Sequence, residues 1–142
     1  MKSTLITLVF IFICIKLFAQ SNVIWDCKSC QVQLIENSIN TYSLKYLDAN
    51  SIKENNVVHS LTPLSKNELI DFGKFLDSIS VVKYLNDGVN FNNKLFISLV
   101  DLKTKGIDGR VYYIKDSKGL TGGITFKELN KLSRFILALE KD

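Results

Sequence analysis

Few residues in this sequence are suited to catalysis. Its 142 residues include one histidine, His59, and three cysteines, and they contain no Gly-x-Ser-x-Gly turn. A Ser–His–Asp triad would depend on that single histidine, and a closed structural zinc site needs four Cys or His ligands. The glycine-rich patterns of phosphate and dinucleotide sites are missing as well. We therefore predict no catalytic residues, no metal and no cofactor, and we expect a protein that is not an enzyme.

Proline is also scarce. Pro63 is the only one, and the sequence has no low-complexity tract. Such a chain lacks the usual composition of interdomain linkers and disordered tails. The length of residues 20–142 fits one domain with one hydrophobic core.

A strong excess of one charge is the third feature that is missing. The chain has 18 basic and 14 acidic side chains, a net charge of +4. Lys2 and Lys16 belong to the N-terminal segment considered below, and without them 16 basic side chains remain. This balance does not favour binding to nucleic acid or to an anionic membrane surface.

The N-terminus has the pattern of a secretory signal peptide. Lys2 precedes an apolar run from Leu5 to Ile15, and Ala19 comes just before polar residues. The run has about eleven residues, whereas a membrane-spanning helix needs roughly twenty. We predict that residues 1–19 are a signal peptide cut after Ala19, that no stable membrane anchor remains, and that the protein is secreted or periplasmic. An uncleaved N-terminal anchor is the alternative.

Two six-residue segments, 60 positions apart, share a helix-start pattern. They are LSKNEL, which begins at Leu64, and ITFKEL, which begins at Ile124. In each, a Ser or Thr suited to the N-cap is followed three residues later by a glutamate, which predicts a capping box. The two pairs are Ser65 with Glu68 and Thr125 with Glu128.

An apolar stripe follows each of these starts. Apolar residues recur at steps of three and four, the spacing that places side chains on one face of a helix. We therefore predict two amphipathic helices that bury their stripes in a common core. The stripes consist of Leu69, Phe72, Leu76 and Ile79 in the first helix and Leu129, Leu132, Ile136 and Leu139 in the second.

The segments before each helix have the patterns of strands. We predict three strands before the first helix, near residues 31–34, 42–46 and 57–58, and three before the second, near residues 95–102, 111–114 and 120–124. Their short connections favour antiparallel pairing. The fold class that we expect is α+β: an antiparallel sheet of about six strands with two helices on one face.

The predicted strands and helix occur in the same order in both halves, which indicates an internal duplication. Each half has a strand-strand-strand-helix unit, and the two units cover about residues 30–80 and 94–140 of a single α+β domain. The alternative is that capped amphipathic helices resemble each other by convergence.

Cys27 and Cys30 form the only chemically suggestive motif. In an oxidising compartment we expect these two thiols to form a disulfide. Trp25 and the Cys-x-x-Cys spacing resemble the motif of thioredoxin-like proteins, which implies thiol–disulfide exchange. Two features depart from that motif: Asp26 separates the tryptophan from the cysteine, and residues 31–34 alternate like a strand instead of beginning a helix. A structural disulfide is therefore the favoured interpretation.

Aromatic side chains are the candidates for binding another protein. Tyrosine and tryptophan are enriched where interfaces bind tightly, and we expect an open face of the sheet to present them. Packing beneath the two helices is the alternative for each of these residues. The candidate binding residues are Trp25, Tyr42, Tyr46, Tyr112 and Tyr113.

Together these features predict a small, exported, non-enzymatic binding or interaction module. It would serve as an inhibitor, an immunity-type protein or a subunit of an envelope complex, and its partner would be another protein. The alternative function is a thiol–disulfide redox protein that uses Cys27 and Cys30. A purely structural envelope protein is a third possibility.

Overall fold

The protein was analysed as a computed structural model that describes residues 22–38, 40–49, 58–82, 88–101 and 109–141. The predicted signal peptide and its cleavage site lie outside these residues and stay predictions. The described helices are α1 (Lys66–Ser80) and α2 (Phe126–Ala138). The described strands are β1 (Asn22–Cys27), β2 (Val32–Ser38), β3 (Thr41–Leu47), β4 (Val58–Ser60), β5 (Leu64–Ser65), β6 (Val89–Phe91), β7 (Leu95–Asp101), β8 (Arg110–Lys115) and β9 (Ile124–Thr125).

The described strands form two antiparallel sheets. The first sheet has the order β1-β2-β3-β4, and β5 pairs with a further part of β3; the second has the order β6-β7-β8-β9. The α+β class is therefore correct, but the strands form sheets of five and four members where a single sheet of about six was predicted. Pairing of strands from the first half (residues 22–82) is confined to that half, and the same holds for the second half (residues 88–141).

Three described strands were not predicted from the sequence. β1 and β6 are edge strands of their sheets, and β5 is a two-residue strand immediately before α1. The strand predicted near residues 120–124 corresponds to β9, a two-residue strand immediately before α2. In β1 the order of polar and apolar residues is irregular, and its pairing with β2 shifts register between Val23 and Trp25. When the register of a strand is set by its neighbour, the strand's own sequence has only a weak pattern from which it could be predicted.

The strand that precedes each helix is paired in the same way in both halves. Tyr42 faces Leu64 in the first sheet, and Tyr112 faces Ile124 in the second. The backbone N–H three residues before Leu64 or Ile124 also donates a hydrogen bond to the strand with which that residue pairs, β3 or β8. The backbone N–H of Leu61 donates to the Leu44 carbonyl at 2.8 Å, and that of Thr121 donates to the Ile114 carbonyl at 2.9 Å.

The predicted capping box is complete at the start of α1. The Ser65 hydroxyl accepts a hydrogen bond from the Glu68 N–H, and the Glu68 carboxylate accepts one from the Ser65 N–H at 2.9 Å. The Lys94 ammonium also binds this carboxylate. The hydrogen bond from Lys94, followed by those from Ser65, lowers the pKa of Glu68 to about 2. The carboxylate is therefore ionised where it stabilises the helix start.

At the start of α2 only half of the predicted box is present. Thr125 accepts a hydrogen bond from the Glu128 N–H at 3.4 Å. The Glu128 carboxylate instead accepts one from the Lys131 ammonium, one turn along the same helix, at 2.8 Å. A lysine within reach on the helix itself thus competes with the backbone for this glutamate.

The two helices bury their predicted stripes in one hydrophobic core. Leu69, Phe72, Leu76, Ile79, Leu129, Leu132 and Ile136 are all buried, and Leu139 packs partly buried against them.

The helices approach closely where α1 has a glycine. A Cβ atom placed on Gly73 would lie 2.7 Å from Cγ2 and 3.1 Å from Cβ of Ile136. The Ser133 hydroxyl of α2 donates to the Gly73 carbonyl at 2.9 Å, and this hydrogen bond is buried. The helix contact therefore depends on a residue without a side chain at this point.

Elements of each half also contact the helix of the other half. The ring of Phe91 in β6 lies 5.2 Å from that of Phe72 and 5.3 Å from that of Phe75, both in α1. In return, α2 contacts β1. Each helix is thus partly covered by a hairpin from the opposite half.

Neither α1 nor α2, the helices of the described residues, has the combination of length and apolar character that crossing a membrane requires.

Replacing Gly73 with alanine should destabilise the protein by about 1–3 kcal/mol, because the new methyl group overlaps Ile136. On an exposed helix face the same change would stabilise by about 1 kcal/mol. Urea denaturation of Gly73→Ala measures the difference. In an Ile136→Ala background the cost of the alanine should be smaller, and an unchanged cost would contradict the proposed overlap.

Candidate functional site

Asp116 joins the two halves of the protein. Its Oδ2 accepts a hydrogen bond from the Thr62 N–H at 3.1 Å, across the junction. Its Oδ1 accepts bonds from the N–H groups of Lys118 and Gly119 within its own turn, at 2.7 and 3.2 Å. The carboxylate is buried, and these backbone donors offset the cost of burying its charge.

Three side chains of the first half surround the same turn. The Nε2 of His59 lies 3.4 Å from Oδ2 of Asp48, and the His59 ring lies 5.9 Å from that of Tyr46. A Cβ atom on Gly119 would lie 2.8 Å from the Tyr46 hydroxyl and 3.0 Å from Asp48 Oδ2. A side chain at position 119 would therefore separate the halves. We call the group formed by Tyr46, Asp48, His59, Thr62, Asp116 and Gly119 the polar seam.

The Tyr46 hydroxyl is the unusual member of the polar seam. It is buried and has no hydrogen-bond partner among the described residues, and the whole residue is 1% exposed. Burial, followed by the negative charges of Asp116 and Asp48, raises the pKa of Tyr46 to about 12. The phenol therefore stays neutral at physiological pH.

The structure places the predicted binding aromatics mostly in the interior. Tyr42, Tyr46 and Tyr112 belong to the hydrophobic core, while Trp25 and Tyr113 are half-buried. Burial, followed by the nearby Glu36 carboxylate, raises the pKa of Tyr42. The five residues are therefore not brought together on an open face, and their role in binding stays a prediction.

Cys27 and Cys30 lie at the two sides of the turn between β1 and β2. Their sulfurs are 2.12 Å apart, the distance of a disulfide. Gln31, which completes the turn, has a φ of 54°, so the chain reverses direction tightly here. The Cys30 N–H donates to Cys27 Sγ at 3.2 Å, and the Ser29 hydroxyl lies 3.4 Å from the same sulfur. Both cysteines are buried, with exposures of 3% and 6%.

An open groove runs over the outer face of the first sheet. It has a volume of about 480 Å³. Its floor includes Asp26, Gln33 and Lys45, which are neighbours across β1, β2 and β3. The other residues that line it are Lys28, Gln31, Tyr46, Leu47 and Val58. We call this surface groove A; it begins beside the turn that carries the disulfide.

A second groove lies on the second sheet. It has a volume of about 330 Å³. Asn90, Phe96 and Lys115 are neighbours across β6, β7 and β8 and contribute to its lining. The other residues that line it are Asn93, Lys94, Leu95, Asp116 and Ser117. We call this surface groove B.

Of the residues that line these grooves, only Tyr46 is among the binding residues predicted from the sequence. Lys45 alternates with the predicted tyrosines along β3, so its outward direction follows from the strand pattern. Val58 is 53% exposed, an unusual position for a valine, but no sequence pattern distinguishes it from a buried one. Within the described ranges of the chain, no three His, Cys, Asp or Glu side chains come together in an arrangement that could hold a metal ion.

Comparison with known proteins adds no relative: the chain matches no protein-family model, no curated protein and no solved structure.

Replacing Tyr46 with phenylalanine should leave stability unchanged or raise it by up to about 1–3 kcal/mol, because it removes a buried hydroxyl that lacks a partner. In the wild type the raised pKa adds stability that is fully present below about pH 10, the unfolded value, and is lost as the pH rises towards 12. The variant should lose this part of the alkaline decline, while the part due to Tyr42, whose pKa burial also raises, should remain.

Urea denaturation between neutral pH and pH 12 tests both expectations. Tyr113→Phe, at a half-buried tyrosine, is the control for loss of a hydroxyl. A loss of more than about 1 kcal/mol in Tyr46→Phe would show that the hydroxyl has a hydrogen-bond partner.

Proposed function

We propose that the protein is an exported binding module that uses groove A to bind another protein. The observation that supports this proposal most directly is groove A itself, an exposed concave surface in which apolar and charged side chains lie side by side. Such surfaces suit recognition, since apolar contact supplies affinity and placed polar groups supply specificity. Export rests on the N-terminal sequence pattern alone.

The chemistry of groove A favours a polypeptide partner. Val58 is largely exposed, and Leu47 next to it is half-buried. Lys28, Lys45 and Asp26 supply charges of both signs within the same surface. An extended peptide segment also presents alternating charged and apolar side chains, on the two sides of its backbone. Its pattern therefore matches that of the groove.

β1 gives the groove a second means of binding. In the described part of the first sheet, β1 has β2 on one side only, so its outer backbone groups are at an edge. An extended segment can pair with such an edge through main-chain hydrogen bonds. Because Asp26 lies in β1 and also lines groove A, one segment could use both surfaces.

We also propose that the two halves arose by duplication of one strand-strand-strand-helix unit. The support is the matched pairing before each helix, Tyr42 with Leu64 and Tyr112 with Ile124. Equivalent helix residues are 60 positions apart, whereas these tyrosines are 70 apart. The connection between central strand and helix would therefore be ten residues longer in the first half.

A photoreactive amino acid placed at Val58 should form one discrete cross-linked product when the full chain is produced in its own cells. The same group at Val81, a valine 78% exposed at the end of α1, is the matched control and should form none. Adding Lys45→Glu to the Val58 variant should greatly reduce the product. Mass spectrometry of the product identifies the partner.

Equal products from Val58 and Val81, or none from Val58, would rule out groove A as the binding surface. A product that persists unchanged with Lys45→Glu would show that the groove's charge plays no part in binding.

Thiol–disulfide exchange at Cys27 and Cys30 is the second candidate function. The hydrogen bonds that reach Cys27 Sγ from the Cys30 N–H and the Ser29 hydroxyl would stabilise a Cys27 thiolate after reduction. In this reaction a partner thiolate attacks one sulfur, and the Cys27–Cys30 bond breaks as a mixed disulfide forms. A second partner thiol then displaces the protein, which leaves the partner oxidised and both cysteines reduced. Burial of both cysteines places this function second.

An insulin-reduction assay with dithiothreitol tests the second candidate. If exchange is the function, the wild type should accelerate precipitation of insulin and Cys27→Ser should not. A structural disulfide predicts that both proteins are equally inactive. It also predicts that reduction lowers the free energy of unfolding by less than about 3 kcal/mol, because the loop between the cysteines is short.

A further inference from the structure

Groove A and groove B are built from corresponding positions of the two sheets. One row of cross-strand neighbours in the first sheet is Asp26, Gln33, Lys45 and Ser60. The row at the same place in the second sheet is Asn90, Phe96, Lys115 and Leu120. The first three members of each row line their groove.

The residues that follow Lys45 and Lys115 also occupy corresponding positions in the two grooves. Tyr46 follows Lys45 and lines groove A, and Asp116 follows Lys115 and lines groove B. On the opposite face of the sheets, the pairs Leu34–Leu44 and Ile97–Ile114 are buried in the core. The two grooves therefore have the same relation to strand, register and core.

A lysine occupies the same place in both grooves. Lys45 and Lys115 are exposed, and neither side chain forms an ion pair or hydrogen bond within the part of the chain that the structure describes. The other charges of groove B are already bound: Lys94 binds Glu68, and Asp116 accepts the N–H groups of Thr62 and its own turn. In groove A, Lys28 and Lys45 outnumber Asp26. Each groove therefore has an exposed lysine that no carboxylate pairs with, and groove B is the less positive of the two because the buried Asp116 carboxylate beside Lys115 keeps its negative charge.

We propose that the protein has two equivalent binding grooves, A and B, and that each binds an extended acidic peptide segment with a carboxylate at Lys45 or Lys115. This inference rests on the proposed function and adds to it the number of sites and the charge of the partner. The lysines attract a carboxylate, and the exposed sheet surface beside them accepts the rest of an extended segment.

The two grooves differ at several positions, and the difference that should set their preference for apolar residues is at Gln33 and Phe96. Groove B has the partly exposed aromatic ring of Phe96 where groove A has Gln33. The aromatic ring adds apolar contact, so groove B should bind an acidic segment with large apolar residues more tightly than groove A.

The test uses a synthetic hexapeptide that alternates glutamate and valine. Isothermal titration of the wild type should give two peptides per protein. Lys45→Glu and Lys115→Glu should each leave one site, and the double variant should leave none. Lys127→Glu, an exposed lysine on α2, is the matched control and should keep both sites. Melting temperatures confirm that each variant is folded.

A second peptide with glutamine in place of glutamate tests the role of charge. It should bind up to about fivefold more weakly, since an exposed ion pair contributes up to about 1 kcal/mol. Phe96→Gln should weaken the site that remains in Lys45→Glu and leave the site that remains in Lys115→Glu unchanged.

Four results would overturn the inference: no binding of the acidic peptide, a single site in the wild type, equal binding of the glutamine peptide, or binding that neither lysine variant changes. Its failure is distinguishable from failure of the proposed function. If the peptide does not bind but the cross-link from Val58 still depends on Lys45, the protein is a binding module of groove A whose partner is not a pair of acidic segments.

Discussion

The contact between α1 and α2 at Gly73 is the constraint on which the rest of the structure depends. Gly73 lets α2 approach closely enough for Ile136 to fill the space of a missing side chain, and for Ser133 to bind the glycine carbonyl. Because each sheet packs on its own helix, this contact brings the two sheets to a common core, and Phe91 on α1, α2 on β1 and the Thr62–Asp116 hydrogen bond then join the halves around it.

The helices could be predicted well because their signals are local. A cap residue, a glutamate three positions later and an apolar stripe all lie within one or two turns of chain. Even so, the box at Glu128 is incomplete, because Lys131 lies within reach of the carboxylate. Sequence patterns thus identified where each helix begins, but they did not show which of two neighbouring donors the glutamate would bind.

The sheets and the site could be predicted only in part because both depend on distant residues. The alternation in β3 predicted a strand, yet it could not show whether Tyr42 and Tyr46 face the core or the solvent. The structure places both in the core, so their neighbour Lys45 points outward. Likewise, the need for a residue without a side chain at position 119 is evident only from the fold, in which Tyr46 and Asp48, some seventy residues earlier, lie close to it.

Each half covers part of the helix of the other half, and this has a consequence for the folding of the protein. Phe91 covers α1, and α2 packs on β1 at the other end of the described chain. The apolar stripe of α1 therefore lacks part of its cover until Phe91 and α2 of the second half have packed against it.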